Sequence, residues 1–267
     1  MSVLLQISDT HFGTEQPPVV EALAAFTARQ RPDLVVLSGD ITQRARRVQF
    51  HAARVFALSL ATPVLAIPGN HDLPLFDVWA RFTRPYGHYR KAFGDELEPV
   101  YESADLLVQC LNTTRWWLQT NGEFSAEQIE RVAARVAHAA PGQLRVVVVH
   151  HPVSVPQADD VHNLVRRHAA AVQSWADAGA DLVMGGHIHL PYVTLLPGLA
   201  RRLWAVQAGT AVSHRVRGGQ PNSVNLLRWG RDAPLGRCMV EQWDCPSVGQ
   251  AFVRVKVSEF EPQRGAP

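Results

Sequence analysis

The chain has 267 residues, 46 % of them hydrophobic, which is ample for one large domain or two small ones. A net charge of +2 with 19 % charged residues excludes a long basic tract for nucleic acid, and no apolar run approaches the roughly 20 residues of a membrane span. Cys110, Cys238 and Cys245 have neither zinc nor redox spacing, and Met1 to Gln6 lead into a strand without the basic start of a signal peptide. Reduced thiols and a cytoplasmic location are therefore expected.

In chain order, an apolar run at 3–7 ends in Asp9-Thr10-His11. Pro17-Pro18 open a helix over 19–29, since Pro is tolerated at a helix start. A run at 34–37 ends in Gly39-Asp40. A helix over 48–60 carries Val48, Ala52, Val55 and Phe56 near helical spacing. The run 64–67 leads into Gly69-Asn70-His71-Asp72. Residues 73–100 hold no strand-length run and read as a helical excursion near the site mouth, with most of Phe76, Trp79, Phe82, Tyr86, Tyr89 and Phe93 packing it onto the body. A strand over 106–111 follows. Ser125 and Gln128 have capping-box spacing ahead of a helix that Pro141-Gly142 stop. The run 146–149 ends in His150-His151, a helix over 163–178 closes at Gly179, and the run 182–184 ends in Gly186-His187-Ile188-His189.

Beyond Gly186 the grammar changes. Runs at 192–196, 203–207, 223–229, 237–243 and 252–257 alternate with turns at 197–198, 218–219 and 232–236, without a long helix, which predicts antiparallel pairing. Two β-sheets packed face to face with helices outside accommodate both halves. The expected fold is α/β, in a single domain over 1–260 with a frayed tail at 261–267.

Short apolar runs bounded by Gly and Pro are buried strands, and in open α/β sheets ligands bind beyond the carboxyl ends of strands. Five polar clusters should therefore meet on one edge. Each has a bland reading of its own: a turn-forming Asp beside a capping His, any Gly-Asp turn, a satisfied core His. Together, each at a strand end, they read as a metal-ligand set. Asp9-x-His11 and His187-x-His189 each place two side chains on one side of an extended segment, as two ligands of one ion require. The donors are nitrogen and oxygen with no thiolate, which suits Mn, Fe or Zn in a mixed site. His51, His88, His138, His162, His168 and His214 lack such settings and read as surface or satisfied-core residues.

The order Asp-x-His, Gly-Asp, Gly-Asn-His-Asp, His-His, Gly-His-x-His resembles the calcineurin-like metallophosphoesterase superfamily, from about residue 2 to 209. Within it the pattern is most similar to bacterial class III cyclic nucleotide phosphodiesterases. The resemblance implies a four-layered αββα sandwich with two central mixed β-sheets. It implies that Asp9, His11, Asp40 and His189 hold one metal, and that Asp40, as a bridge, holds the other with Asn70, His150 and His187. His150 rather than His151 is implied because the family's ligand lies two residues before the Pro. His71 would be the unligated catalytic histidine. Where many members have Glu after the Asn-His pair, Asp72 stands here. The phosphatase branch's second motif is matched only in part by Gly39-Asp40-Ile41-Thr42-Gln43-Arg44. Sorting scaffolds with this fold have lost ligands, and none is lost here.

The function so implied is a dinuclear-metal phosphoesterase acting on small phosphodiesters such as cyclic nucleotides, by in-line attack of a hydroxide that two ions share. Phosphomonoesterase, nuclease and non-catalytic scaffold are the alternatives. Near-neutral charge disfavours the nuclease. Two divalent ions less Asp9, Asp40 and the hydroxide leave about one positive charge, which matches a diester monoanion. The one arginine that the sequence offers to a monoester dianion is Arg44, four residues after Asp40.

Overall fold

The computed structural model of the chain describes residues 2–230 and 236–263. Its elements run β1 (Ser2–Ile7), α1 (Pro17–Gln30), β2 (Leu34–Ser38), α2 (Arg47–Ser59), β3 (Val64–Ile67), α3 (Val78–Thr83), α4 (Gly87–Phe93), β4 (Val100–Glu102), β5 (Leu106–Cys110), α5 (Ala126–Ala137), β6 (Leu144–Val148), α6 (His168–Ala178), β7 (Leu182–Gly185), β8 (Tyr192–Leu195), β9 (Trp204–Gln207), β10 (Asn222–Trp229), β11 (Cys238–Cys245) and β12 (Val253–Phe260), with 3₁₀ turns at Asn70–Asp72 and Ala158–Asn163. They form two six-stranded mixed sheets, ordered β12-β11-β10-β1-β2-β3 and β4-β5-β6-β7-β9-β8.

Alternation along the strands explains the layering. Leu5 and Ile7 of β1, with Val35 and Leu37 of β2, pack outward against Val19, Leu23 and Phe26 of α1 and Phe50 and Phe56 of α2. Their neighbours Leu4, Leu34 and Val36 point the other way, onto Val108, Val146, Val148 and Met184 of the second sheet. Val147 and Val183 then face Val132 and Val136 of α5 and Ala171 and Trp175 of α6. The result is helix, sheet, sheet, helix. Because both faces of these strands are covered, their sequences are continuous apolar runs, and each Val or Leu so buried contributes about 1.5–3 kcal/mol. A polar group centred on Gln6 interrupts the inter-sheet layer near the strand ends. Gln6 donates to Ser38 Oγ (3.1 Å) and to the Gly185 carbonyl of the other sheet (2.9 Å), and accepts from Asn225 (3.0 Å). It ties the two sheets together beside the loops that carry the site.

The structure corrects several expectations. The last third is not one antiparallel meander: β9 runs parallel to β7 and antiparallel to β8, whereas β10 crosses to pair antiparallel with β1 in the first sheet. Loop 208–221 makes that crossing, over the carboxyl ends of the strands. The buried face of α2 is Gln49, Phe50, Ala53, Phe56 and Ala57, and Val48 and Val55 are exposed. Both sets have helical spacing, and the one with two Phe carries more apolar area. Residues 73–100 end in strand β4, and their aromatics divide. Tyr89 is buried and donates to the Ala66 carbonyl (2.6 Å), whereas Phe76, Trp79 and Phe82 stand exposed. Short α3 is held instead by Arg81, which donates to the carbonyls of Pro74, Trp116 and Leu118. The helix expected from 163 begins at His168; residues Ala158–Asn163 form a 3₁₀ turn whose Asp160 is held by Arg217 (3.0 Å). The tail is anchored as far as it is described, since the Gln263 carbonyl accepts from Arg201 (2.8 Å). Residues 232–235 of the expected turn and 264–267 of the tail lie outside the described residues. Among the described residues no helix is long and apolar enough to cross a membrane.

Candidate metal centre

All five polar clusters converge where the parallel strands end. The loops after β1, β2, β3, β6 and β7 deliver Asp9 and His11, Asp40, Asn70 and His71, His150, and His187 and His189. Among the described residues nine non-glycine residues have positive φ, and five of them are Asp9, His11, Asp40, His187 and His189. Such backbone costs about 1–3 kcal/mol each and persists where the surroundings over-determine it. Here they do. The Asp9 N–H donates to the Gly39 carbonyl (3.1 Å) and the His11 N–H to the Asp40 carbonyl (2.9 Å). The His187 N–H donates to the Asp9 carboxylate (3.0 Å) and the His71 N–H to Asp40 Oδ1 (2.8 Å). Gly69 and Gly186 allow this crowding: a Cβ on Gly69 would overlap Asp40, and one on Gly186 would overlap Ser8 and Asp9. Asp72 buckles two loops together by accepting from the N–H groups of Ile41 (3.0 Å), Thr42 (2.7 Å) and Gly69 (2.9 Å). Burial and the neighbouring Asp40 push its pKa up to about 6, against the pull of those bonds.

In each of two groups the ligand atoms all lie within 4.8 Å of one another: Asp9, His11, Asp40 and His189 form one, and His150, His151 and His187 the other. In the first, His11 Nε2 lies 3.1 Å from His189 Nε2, and His189 Nε2 lies 3.2 Å from Asp9 Oδ1. Two donors each about 2.1 Å from one ion, at right angles, would be about 3 Å apart. His189 is aimed by its Nδ1, which donates to the Arg215 carbonyl (2.6 Å). In the second group, His150 Nδ1 donates to the Ser38 carbonyl (2.9 Å) and so turns Nε2 to the site. His151 is spent elsewhere: Nδ1 bonds Thr113 Oγ1 (2.7 Å) and Nε2 bonds the Thr120 carbonyl (2.9 Å). Asn70 Oδ1 and His187 Nδ1 are buried without a hydrogen-bond partner, and His150 Nε2 has only the Asp40 carboxylate near it. Orphaned polar atoms gathered in one place are costly unless a cation completes them. A nitrogen and oxygen set of this kind fits two divalent ions. Asp40 stands between the groups, Oδ1 3.3 Å from His150 Nε2 and Oδ2 3.7 Å from His11 Nε2.

The charges are strongly coupled. Burial would raise Asp9, but His189 and His150 bring it down to about 2. Burial lowers His11 to about 3 and His187 to about 4. Burial also disfavours a charged His150, yet Asp40 and Asp9 outweigh it and raise His150 to about 9. The metal-free protein therefore carries a proton on His150 at neutral pH, and a metal must displace it. Affinity should rise with pH up to about 9, by roughly tenfold per unit if one proton is displaced. Titration calorimetry with Zn²⁺ at pH 7, in buffers of different ionisation enthalpy, counts the protons. At least one should be released, and none released would contradict this electrostatic reading.

His71 stands beside the clusters, its ring 4.9 Å from that of His11. Its Nδ1 lies 2.9 Å from the Gln43 carbonyl. It shares a cleft of about 340 Å³ with Asp40, Asn70, His187, His189 and two arginines, Arg215 and Arg217, from loop 208–221. Sequence reasoning missed both, and nothing local marks them, because the loop follows no motif. Arg44, the cation expected from the sequence, lies over the Phe76 ring (5.8 Å) and lines a neighbouring pocket with His71 and Gln43. Of the histidines set aside earlier, five are exposed and His168 is half-buried.

With this geometry in hand, similarity to known proteins becomes informative. The calcineurin-like phosphoesterase family model matches residues 2–191, well over half of the chain. Over 83 residues, 26 % of the chain, it is 39 % identical to the glycerophosphodiester phosphodiesterase GpdQ of Enterobacter lignolyticus. Over 158 residues, 56 % of the chain, it is 26 % identical to a probable cyclic nucleotide phosphodiesterase of Synechococcus sp.. The matches span 29 % and 57 % of those relatives, less than two thirds of either. Among solved structures, a dimetal phosphatase from Danio rerio superposes with a TM-score of 0.70 at 14 % identity, over 98 % of this chain and 99 % of that one, a likeness of fold. Family match and αββα layering agree, and the chain belongs to the calcineurin-like phosphoesterases.

Proposed function

We propose that this chain is a dinuclear-metal phosphoesterase that hydrolyses phosphodiester bonds of small molecules, cyclic nucleotides among them. The observation that carries the reading is the carboxylate of Asp40, whose two oxygens turn to two separate ligand groups. Asp9, His11, Asp40 and His189 would hold one ion, and Asp40, Asn70, His150 and His187 the other. The donor set suits Mn, Fe or Zn. When bound, the ions supply Lewis-acid polarisation of the ester and acidify water. The chain supplies the rest. Strained, hydrogen-bonded loops hold the ligand atoms before any ion arrives, which lowers the reorganisation needed during reaction. His71, anchored through Nδ1 on the Gln43 carbonyl, would turn Nε2 to the leaving group and protonate its oxygen. We also propose one domain over 1–260, because β10 to β12 complete the sheet that β1 to β3 begin.

The diester preference is supported by the names of the two curated relatives, each a phosphodiesterase. The charge count that favoured diesters from sequence is weaker here, since it omitted Arg215. With Mn²⁺ bound, kcat/KM for bis(p-nitrophenyl) phosphate should exceed that for p-nitrophenyl phosphate after correction for intrinsic reactivity. A metal-loaded protein silent on both esters would return the scaffold reading, and a monoester preference would sink the diester assignment.

A further inference from the structure

Arg215 and Arg217 leave the same loop and reach the same cleft, but their charges have different fates. Arg217 is neutralised: it pairs with Asp160 through two nitrogens, each at 3.0 Å, and donates to Gln157 (2.9 Å). Arg215 finds no carboxylate among the described residues. Its Nη1 donates to the neutral Gln43 Oε1 (3.0 Å) and sits 3.3 Å from His71 Nε2 and 3.5 Å from His11 Nδ1. It is half-buried, between the residue proposed to meet the leaving group and one proposed to hold an ion.

Its backbone is equally constrained. The Arg215 carbonyl accepts from His189 Nδ1 (2.6 Å) and Thr210 Oγ1 (3.0 Å), and its N–H donates to Ser213 Oγ (3.0 Å). A guanidinium fixed in a cleft, without a counter-ion and beside the place of two cations, is unfavourable unless an anion arrives. On the phosphoesterase reading, that anion is the phosphoryl group.

We propose that Arg215 binds a non-bridging phosphoryl oxygen of the substrate and sets which ester charge the site accepts. This rests on the phosphoesterase reading above. Asp9, Asp40 and a hydroxide leave two divalent ions with about one positive charge, and Arg215 raises the remainder to about two. A monoester dianion, including the one that diester hydrolysis leaves as its product, draws more on this added charge than a diester monoanion, and loses more when Arg215 is removed. The reaction needs no co-reactant beyond water: its oxygen bonds to phosphorus, the bond to the leaving oxygen breaks, and that oxygen takes a proton. The products are an alcohol and, from a diester, a phosphomonoester, or, from a monoester, inorganic phosphate.

The test uses the Mn²⁺-loaded wild type, Arg215→Gln and Arg215→Lys, with metal content measured for each. Calorimetry with inorganic phosphate reads binding independently of turnover. In Arg215→Gln phosphate should bind about 10- to 100-fold more weakly, as expected for loss of a charged hydrogen bond. The kcat/KM for p-nitrophenyl phosphate should fall by a similar factor, that for bis(p-nitrophenyl) phosphate by less, and Arg215→Lys should recover part of the monoester rate. Unchanged phosphate binding, or equal losses on both esters, overturns the proposal. Loss of metal in Arg215→Gln also overturns it, because the residue would then act through His189. A wild type inert towards every ester would defeat the phosphoesterase reading instead, while the phosphate-binding arm still reports on Arg215.

Discussion

Replacing Asp40 by Ala should strip metal from both positions and lower kcat/KM by about a thousandfold or more, the scale expected when Lewis-acid stabilisation worth several kcal/mol is lost. The reason is geometric. Asp40 is nearly fully buried, with one oxygen beside His150 and the other beside His11, so one substitution removes a donor from each ligand group. It also removes the acceptor for the His71 N–H (2.8 Å) and so loosens the turn that carries Asn70. Asn70→Ala is the control: its Oδ1 is one neutral donor, and its loss should weaken a single position. Elemental analysis of the purified variants decides the matter. A full complement of two ions in Asp40→Ala would refute the bridging role.

His71→Ala should keep both ions and lose about 10²- to 10⁴-fold in kcat with a smaller change in KM, the range for a positioned acid or base. The side chain is anchored on the Gln43 carbonyl and stands against His11 without belonging to either ligand group. Removing it therefore leaves the ligand atoms in place. An ester whose leaving group needs no proton, such as p-nitrophenolate, should suffer least if His71 is the proton donor. A variant with both ions that turns over at the wild-type rate on an alkyl ester would end this assignment.

The strand framework and the residue types of the candidate site were legible because their signals are local. Val64 to Ile67 followed by Gly69-Asn70-His71-Asp72 states both a buried strand and a polar strand end within nine residues. The same holds at Asp9, Asp40, His150 and His187. Where two local patterns compete, the sequence is silent on the winner. Val48 and Val55 share a helical face as well as Phe50 and Phe56 do, and only the pairing of α2 with its sheet shows which face carries more area inward.

By itself, then, the sequence determined the chemistry on offer: an α/β chain whose strand ends carry Asp, His and Asn with no thiolate. Tertiary structure added the contacts behind the division of those groups, which the family resemblance implied without them. It turned the two oxygens of Asp40 apart and occupied both nitrogens of His151 with Thr113 and Thr120. It sent β10 across to the other sheet, so that loop 208–221 lies over the site and brings Arg215 to His71, 144 residues away in the chain. Such contacts follow from which strand pairs with which. A lone arginine in a loop carries no periodicity and no motif, and its place is fixed only when the sheets on either side of it close.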